Sequence, residues 1–344
     1  MALIKKPVTG MKDILPAEME IRDYCISVIK KTYAEFGFQS IETPCVENIA
    51  NLTSKQGGDN EKLIFKILKR GEKLKLESAQ SEADLVDGGL RYDLTVPLVR
   101  YFSNHQNELP MPFKALQMGN VWRADRPQKG RYRQFMQCDI DIIGEPSNLA
   151  EIELILATTT TLGNLGFKNF QIRINERRIL KAMAAYSGFP EDRYNDVFII
   201  LDKMDKIGLS GAALELLDEG FTEEMKDRYV SLFEGLQDTE DQLGYLEEKL
   251  EGFIEPDVIP SLREVMVSVF ARPGTPSSRM WPLLRRPIMR LSIMCFCPMM
   301  FFRSSRFSAS TKALSRAMRS FSSCMLTNSS IYNIVIYVVC YLDG

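Results

Sequence analysis

The segment from Val121 to Gly144, VWRADRPQKGRYRQFMQCDIDIIG, constrains the fold more than any other stretch, because a cluster of cations runs straight into a strand-like alternation holding carboxylates. Arg123, Arg126, Lys129, Arg131 and Arg133 fall within eleven positions and are opposed only by Asp125. Arginine suits a phosphate, since its planar fork offers parallel donors and keeps its charge. Pro127 and Gly130 interrupt the cluster, which predicts a turn joining two extended segments. Beyond it, Gln137, Asp139 and Asp141 are spaced by two and share one face of a strand, with Met136, Cys138, Ile140 and Ile142 on the other. An anion site and a cation site then lie on adjacent strands. From periodicity alone a solvated charged hairpin fits equally well, because charge runs commonly face water.

At 344 residues, with 45% hydrophobic and 26% charged content, the chain can bury a large core in about two domains. No uncharged apolar run is long enough to predict a spanning helix, and no apolar stretch behind Met1–Lys6 predicts export. Seven irregularly spaced cysteines predict reduced thiols and a cytoplasmic location. Cys295 and Cys297 have neither a second pair nor a nearby histidine, so no metal site is expected. A net charge of −2 gives no reason to expect a DNA partner.

Apolar spacing predicts a helix over 16–36 through Ile21, Cys25, Val28, Ile29, Tyr33 and Phe36, ending at Gly37. A strand over 38–43 is stopped by Pro44. Residues 61–79 read as a hairpin turning at 70–72, 149–165 as a helix with Glu151 and Glu153 near its positive end, and 170–175 as a strand. From 177 to 269 the pattern is helical almost throughout. Residues 1–176 are therefore expected to form an antiparallel-sheet core and 177–270 a helical module, an α+β organisation.

The remainder differs in kind. Residues 271–344 hold ten basic residues and one acid, Asp343, for a charge of +9, against −11 for residues 1–270. They also hold four of the seven cysteines and seven of the seventeen methionines, without helical or strand period. We expect an aberrant basic tail, poorly packed or disordered, arising where the coding sequence leaves its ancestral frame or is rearranged near Phe270. A basic RNA-binding extension is the alternative. The final apolar run, IYNIVIYVVCYL, is an aggregation hazard if exposed.

Several ordered motifs together resemble the histidyl-tRNA synthetase family of class II aminoacyl-tRNA synthetases. The 121–144 block resembles the family's motif 2, a strand–loop–strand that holds ATP. LRYDLTVPLVRY at Leu90–Tyr101 and IRINERRIL at Ile172–Leu180 resemble segments peculiar to the histidine enzyme. GMKDILP at Gly10–Pro16 and FGFQSIETPCVE at Phe36–Glu47 resemble the entry into motif 1, which builds a dimer interface. Collinear motifs are far more specific than a lone pattern. The resemblance implies a class II synthetase-like antiparallel sheet flanked by helices, with a helical insertion.

It also implies roles. Arg123 matches the arginine that grips the α-phosphate of ATP, Arg131 a second nucleotide contact and Phe135 the aromatic that lies against adenine. Read only as residue types, Arg131 and Phe135 fit an exposed loop and a core position equally well. Asp93, Leu94 and Thr95 match the segment that holds histidine, and Gln137 and Asp141 the residues that bind its ammonium. Asp93 could also cap a turn before Pro97. Asp125 stands where many class II enzymes have glutamate. The single histidine, His105, reads as a solvated loop residue.

The implied reaction is ATP-dependent formation of histidyl-adenylate and transfer to tRNA(His) by a homodimer, with Mg²⁺ on the phosphates. Motif 3, the histidine-specific loop and the anticodon-binding domain find no match between 250 and 344, so low or no activity is expected. A non-catalytic regulatory subunit of ATP phosphoribosyltransferase, which shares the core, is the second functional reading.

Overall fold

The computed structural model describes residues 3–53, 59–128, 131–167, 170–239, 241–270 and 334–340. Lys129 and Gly130, the Cys295–Cys297 pair and the rest of the tail lie outside the described residues. Two compact units divide between Glu145 and Pro146, ahead of the 176/177 boundary read from the sequence. Among the described residues no helix is long and apolar enough to cross a membrane.

In the first unit, α1 (Pro16–Glu35) starts with proline, whose missing N–H is not needed there, and is followed by Gly37 at φ +82°. It buries Cys25, Ile29, Thr32 and Tyr33, one stripe at helical spacing. Then come β1 (Gln39–Ile41), β2 (Val46–Asn48) and α2 (Ile49–Leu52), whose N-terminus is capped by Asn48 accepting from the Ala50 amide at 3.0 Å. β3 (Lys66–Leu68), β4 (Val86–Leu90), α3 (Thr95–His105), β5 (Phe113–Trp122) and β6 (Gln134–Ile143) complete the unit.

The strands form two sheets, β1-β5-β6 and β2-β4-β3. β5 and β6 pair antiparallel over ten residue pairs, whereas β1 runs parallel to β5. The expected hairpin over 61–79 does not form: β3 pairs with β4, well beyond residue 79. The reason is close approach at Gly89, where a Cβ would come within 2.8 Å of Leu52 and 3.0 Å of Ile64. Glycine lets the strand lie close under those two side chains without moving them. The segment after the 3₁₀ turn at Gly71–Lys73 has no comparable apolar partner, and its Leu76 is exposed.

Register puts Ala115, Gln117, Gly119 and Val121 opposite Asp141, Asp139, Gln137 and Phe135. Directly paired residues share a face, so the predicted polar row is present, facing two small residues. Both faces of β6 are buried, with Gln137 0%, Asp139 1% and Asp141 6% exposed, and Cys138, Ile140 and Ile142 equally covered behind them. The solvated-hairpin alternative is thereby excluded. α3 packs Leu98, Tyr101 and Phe102 against Phe113 and is held by the Arg100 fork on buried Glu47 at 2.7–2.9 Å.

The second unit contains α4 (Leu149–Asn164), β7 (Phe170–Glu176), α5 (Arg177–Tyr186), α6 (Tyr194–Asp218, broken at Gly208), α7 (Glu223–Asp238), α8 (Gln242–Lys249) and α9 (Val258–Phe270). α4 belongs here because it packs on α9, with Asn148 bonded to Glu264 and Ser261 at 2.8 Å. Phe189, Phe221, Tyr229 and Phe233 make a chain of edge-to-face rings. The apolar run near the C-terminus forms β8 (Ile334–Cys340), which pairs with β7 along all seven residues.

Candidate active site

The turn between β4 and α3 carries Asp93, Leu94 and Thr95, and each of three of its carbonyls has a donor from β5 or the residue after it. The Trp122 amide reaches Arg91 O at 3.0 Å, Arg123 Nε reaches Tyr92 O at 2.9 Å, and Gln117 Nε2 reaches Leu94 O at 3.1 Å. Thr95, half-buried, opens α3. Asp93 Oδ1 accepts from the Val96 amide at 3.3 Å, so the turn-capping reading of this residue is correct, and the residue is half-buried. Leu94 is buried with Val121 and Phe135; its side chain is core, and what it offers the turn is its carbonyl.

Electrostatics link this turn to β6. Burial pushes the Asp141 carboxyl up to about 7, with the charge of Asp93 adding to the effect. Asp93 is also raised, chiefly by burial, while the Val96 and Thr95 amides and the Arg123 guanidinium pull it back. Asp93 is thus the common neighbour of Arg123 and Asp141. On the same face of β6 as Asp141, Gln137 is fully buried, and neither end of its amide has a hydrogen-bond partner. A buried amide in that state is costly unless something polar comes to it.

Arg123 follows β5 directly. Its guanidinium carbon stands 5.3 Å from the Phe135 ring centre, so Phe135 serves the core cluster and the arginine together. The loop that follows is braced from within. Gln128 and Arg131 exchange backbone bonds, Arg131 Nε meets Asp125 Oδ2 at 3.1 Å, and Arg133 Nε meets Asp125 O at 3.0 Å. Arg126 is exposed. The loop also rests on the N-terminal segment, because the Arg133 amide donates to Gly10 O at 2.7 Å. His105, expected in a solvated loop, is instead the last residue of α3, half-buried beside Glu108 with its ring 4.9 Å from that of Tyr101.

The sequence profile of the family described as histidyl-tRNA synthetase matches residues 10–270. The chain belongs to the histidyl-tRNA synthetase family. The histidine–tRNA ligase of Leifsonia xyli subsp. xyli is 52% identical over 215 residues, covering 61% of this chain and 50% of that protein. A crystal structure of histidyl-tRNA synthetase from Nostoc sp. PCC 7120 superposes with TM-score 0.64 at 27% identity, over 78% of this chain and 58% of that one. A structure described as an ATP phosphoribosyltransferase regulatory subunit/histidyl-tRNA synthetase, from Bacillus halodurans C, has TM-score 0.62 at 18% identity and covers 81% and 67%, a likeness of fold. The chain spans about half the length of the curated relatives it matches.

In this synthetase-family chain the structure links Asp93 to Arg123, Thr95 and Asp141, and Arg123 to Phe135, which packs on Leu94; Gln137 lies two residues along β6 from Phe135, and Arg131 is on the loop after Arg123. Sequence reading passed over Arg91, Thr43, Gln117 and Gly119, of which the first three are buried polar residues. Gln117 alone carried a signal, since it occupies the same strand face as a glycine and an alanine that leave room for polar partners opposite.

Proposed function

We propose that this chain carries the histidine- and α-phosphate-binding part of a histidine–tRNA ligase, with residues 1–176 as the catalytic core and 177–270 as the helical module. The observation that supports it best is the position of Asp93, which is electrostatically coupled to both Arg123 and Asp141. Asp93 and Asp141 offer negative charge to the histidine ammonium, Gln137 offers an unpartnered buried amide, and Thr95 opens the helix beside them. A polar pocket of this kind rejects amino acids that leave its groups unpaired, by up to about 10⁴–10⁵.

In the first step a histidine carboxylate oxygen bonds to the α-phosphorus of ATP while the bond from that phosphorus to the bridging oxygen breaks, and pyrophosphate leaves. Arg123, aimed where charge builds on the α-phosphate, stabilises the transition state by typically about 2.7–4 kcal/mol. Arg131 adds a second nucleotide contact and Phe135 lies against the adenine. The terminal ribose hydroxyl of tRNA(His) then attacks the acyl carbon and AMP departs. Mg²⁺ would be held mainly by substrate phosphate oxygens and would supply neutralising charge there. The segments resembling motif 1 support a homodimer, and the cysteine pattern a cytoplasmic setting.

The test is histidine-dependent exchange of pyrophosphate into ATP by the 344-residue protein. Slow exchange that requires L-histidine and disappears in Arg123→Ala is the expected result, because the motif 3 arginine and the histidine-specific loop have no match in the chain. Absence of any histidine binding overturns the proposal. Histidine binding without exchange, together with co-purification of a phosphoribosyltransferase, favours the non-catalytic regulatory role.

A further inference from the structure

We propose that Arg91, through Thr43 and Gln117, is a positioning residue for histidine binding, setting both ends of the Asp93 turn from one buried guanidinium. This rests on the function proposed above and extends it to residues that touch no substrate.

Arg91 is 4% exposed and stands two residues before Asp93. Its Nε donates to Asn120 O at 2.9 Å, and its Nη1 to Thr43 O at 2.7 Å and Thr43 Oγ1 at 3.1 Å. The guanidinium lies across the face of β5 at Gly119, where a Cβ would sit 2.2 Å from Nη2. Gly119 is paired with Gln137, so the missing side chain makes room for the cation on the polar face itself.

The bonds continue in one direction. Thr43 Oγ1, which accepts from Arg91, donates to Gln117 Oε1 at 3.4 Å, and Gln117 Nε2 donates to Leu94 O at 3.1 Å. A guanidinium can only donate, so it fixes the Thr43 hydroxyl as an acceptor on one side and a donor on the other. That in turn fixes the Gln117 amide with its nitrogen toward Leu94. The relay starts at residue 91 and returns at residue 94, enclosing Asp93. Lysine keeps the charge but cannot serve Asn120 O and Thr43 together from a planar fork.

A displacement of about 1 Å in a positioned group can cost on the order of 100-fold. The effect should fall more on histidine, for which the turn supplies Asp93 and Thr95 directly, than on ATP, which the turn meets only through the Arg123–Tyr92 bond. The experiment measures Kd for L-histidine and for ATP in the full chain, in Arg91→Lys, Thr43→Val and Thr43→Ser, with melting temperatures alongside. Expected are a rise in the histidine Kd of about tenfold or more for Arg91→Lys and Thr43→Val, an ATP Kd within about threefold, and recovery in Thr43→Ser, which keeps the hydroxyl. The double variant Arg91→Lys/Thr43→Val should be no worse than Arg91→Lys alone, since both break one relay.

If Arg91→Lys does not fold, Thr43→Val carries the test, because it leaves the carbonyl partners of Arg91 in place. Unchanged histidine affinity in Thr43→Val, or equal loss of histidine and ATP affinity, overturns the inference while leaving the proposed function standing. Failure of the unmodified chain to bind histidine overturns both.

Discussion

Arg123 Nε donates to the Tyr92 carbonyl at 2.9 Å, so the arginine assigned to the α-phosphate also ties down the turn that presents Asp93. In the proposed function its fork works in two directions, toward the nucleotide and toward the Asp93 turn. Arg123→Ala should lower the exchange rate by about 10²–10³. Arg123→Lys should recover little of this, because an ammonium cannot hold the carbonyl and a phosphate as a fork does. Single-turnover adenylate formation measures it, and a lysine variant with near-normal rates would contradict the dual role.

The acid pair predicts a pH signature. The Asp141 carboxyl, pushed up to about 7 by burial and by Asp93, has a folded pKa above its unfolded value of 3.8. Its contribution to stability is thus fully present below about 3.8 and is lost as pH rises through about 7, a change on the order of a few kcal/mol. Denaturant midpoints of the ligand-free protein should fall from about pH 5 to about pH 8, and the slope should flatten in Asp141→Asn. A slope unchanged by that substitution would remove Asp141 as its source.

Histidine binding should release protons for the same reason, since an ammonium beside Asp93 and Asp141 favours their charged forms. Calorimetry near pH 6.5 in buffers of different ionisation enthalpy reads this directly, with about one proton released per histidine or fewer. Because the imidazole of the ligand also titrates near this pH, Asp141→Asn is the comparison, and an equal proton count in the two proteins would remove Asp141 as the source.

Gly10 sits at φ +84°, and a Cβ there would fall 2.7 Å from Arg133 Cγ and 2.9 Å from Pro127 Cγ. Gly10→Ala should therefore destabilise the arginine loop by about 1–3 kcal/mol, through backbone strain and through contact. Weaker ATP binding with histidine binding retained is expected. Equal ATP affinity in the variant would show that the loop does not depend on the N-terminal segment.

β8 pairs with β7 at Ile172↔Val338 in the middle of the ladder. Val338→Pro removes a backbone donor there, so amides of β7 should exchange about tenfold faster or more. Unchanged protection of 171–175 would mean that β7 does not rely on this strand.

Much of the first unit was legible because its elements are long and periodic. The stripe of α1 and the alternation of β6 each bury side chains at the spacing that defines the element. The hairpin over 61–79 was misread because β3 and β4 are too short for periodicity to choose partners, and the choice is made by Leu52 and Ile64 closing on Gly89. The coupling of Arg123 and Asp141 through Asp93 was foreshadowed by the charged stretch that holds the first two. Arg91, Thr43 and Gln117 escaped because they are far apart in the chain, and only the folded sheets bring them into one relay. The apolar run that contains 334–340 read as a hazard if exposed, since nothing local names β7 as its partner.

The most direct measurement is calorimetric titration of L-histidine into the full chain and into Asp141→Asn. Saturable binding by the unmodified chain, weakened by about tenfold or more in the variant, is expected if β6 and the Asp93 turn form one amino acid pocket. Equal affinity in the two proteins would contradict it.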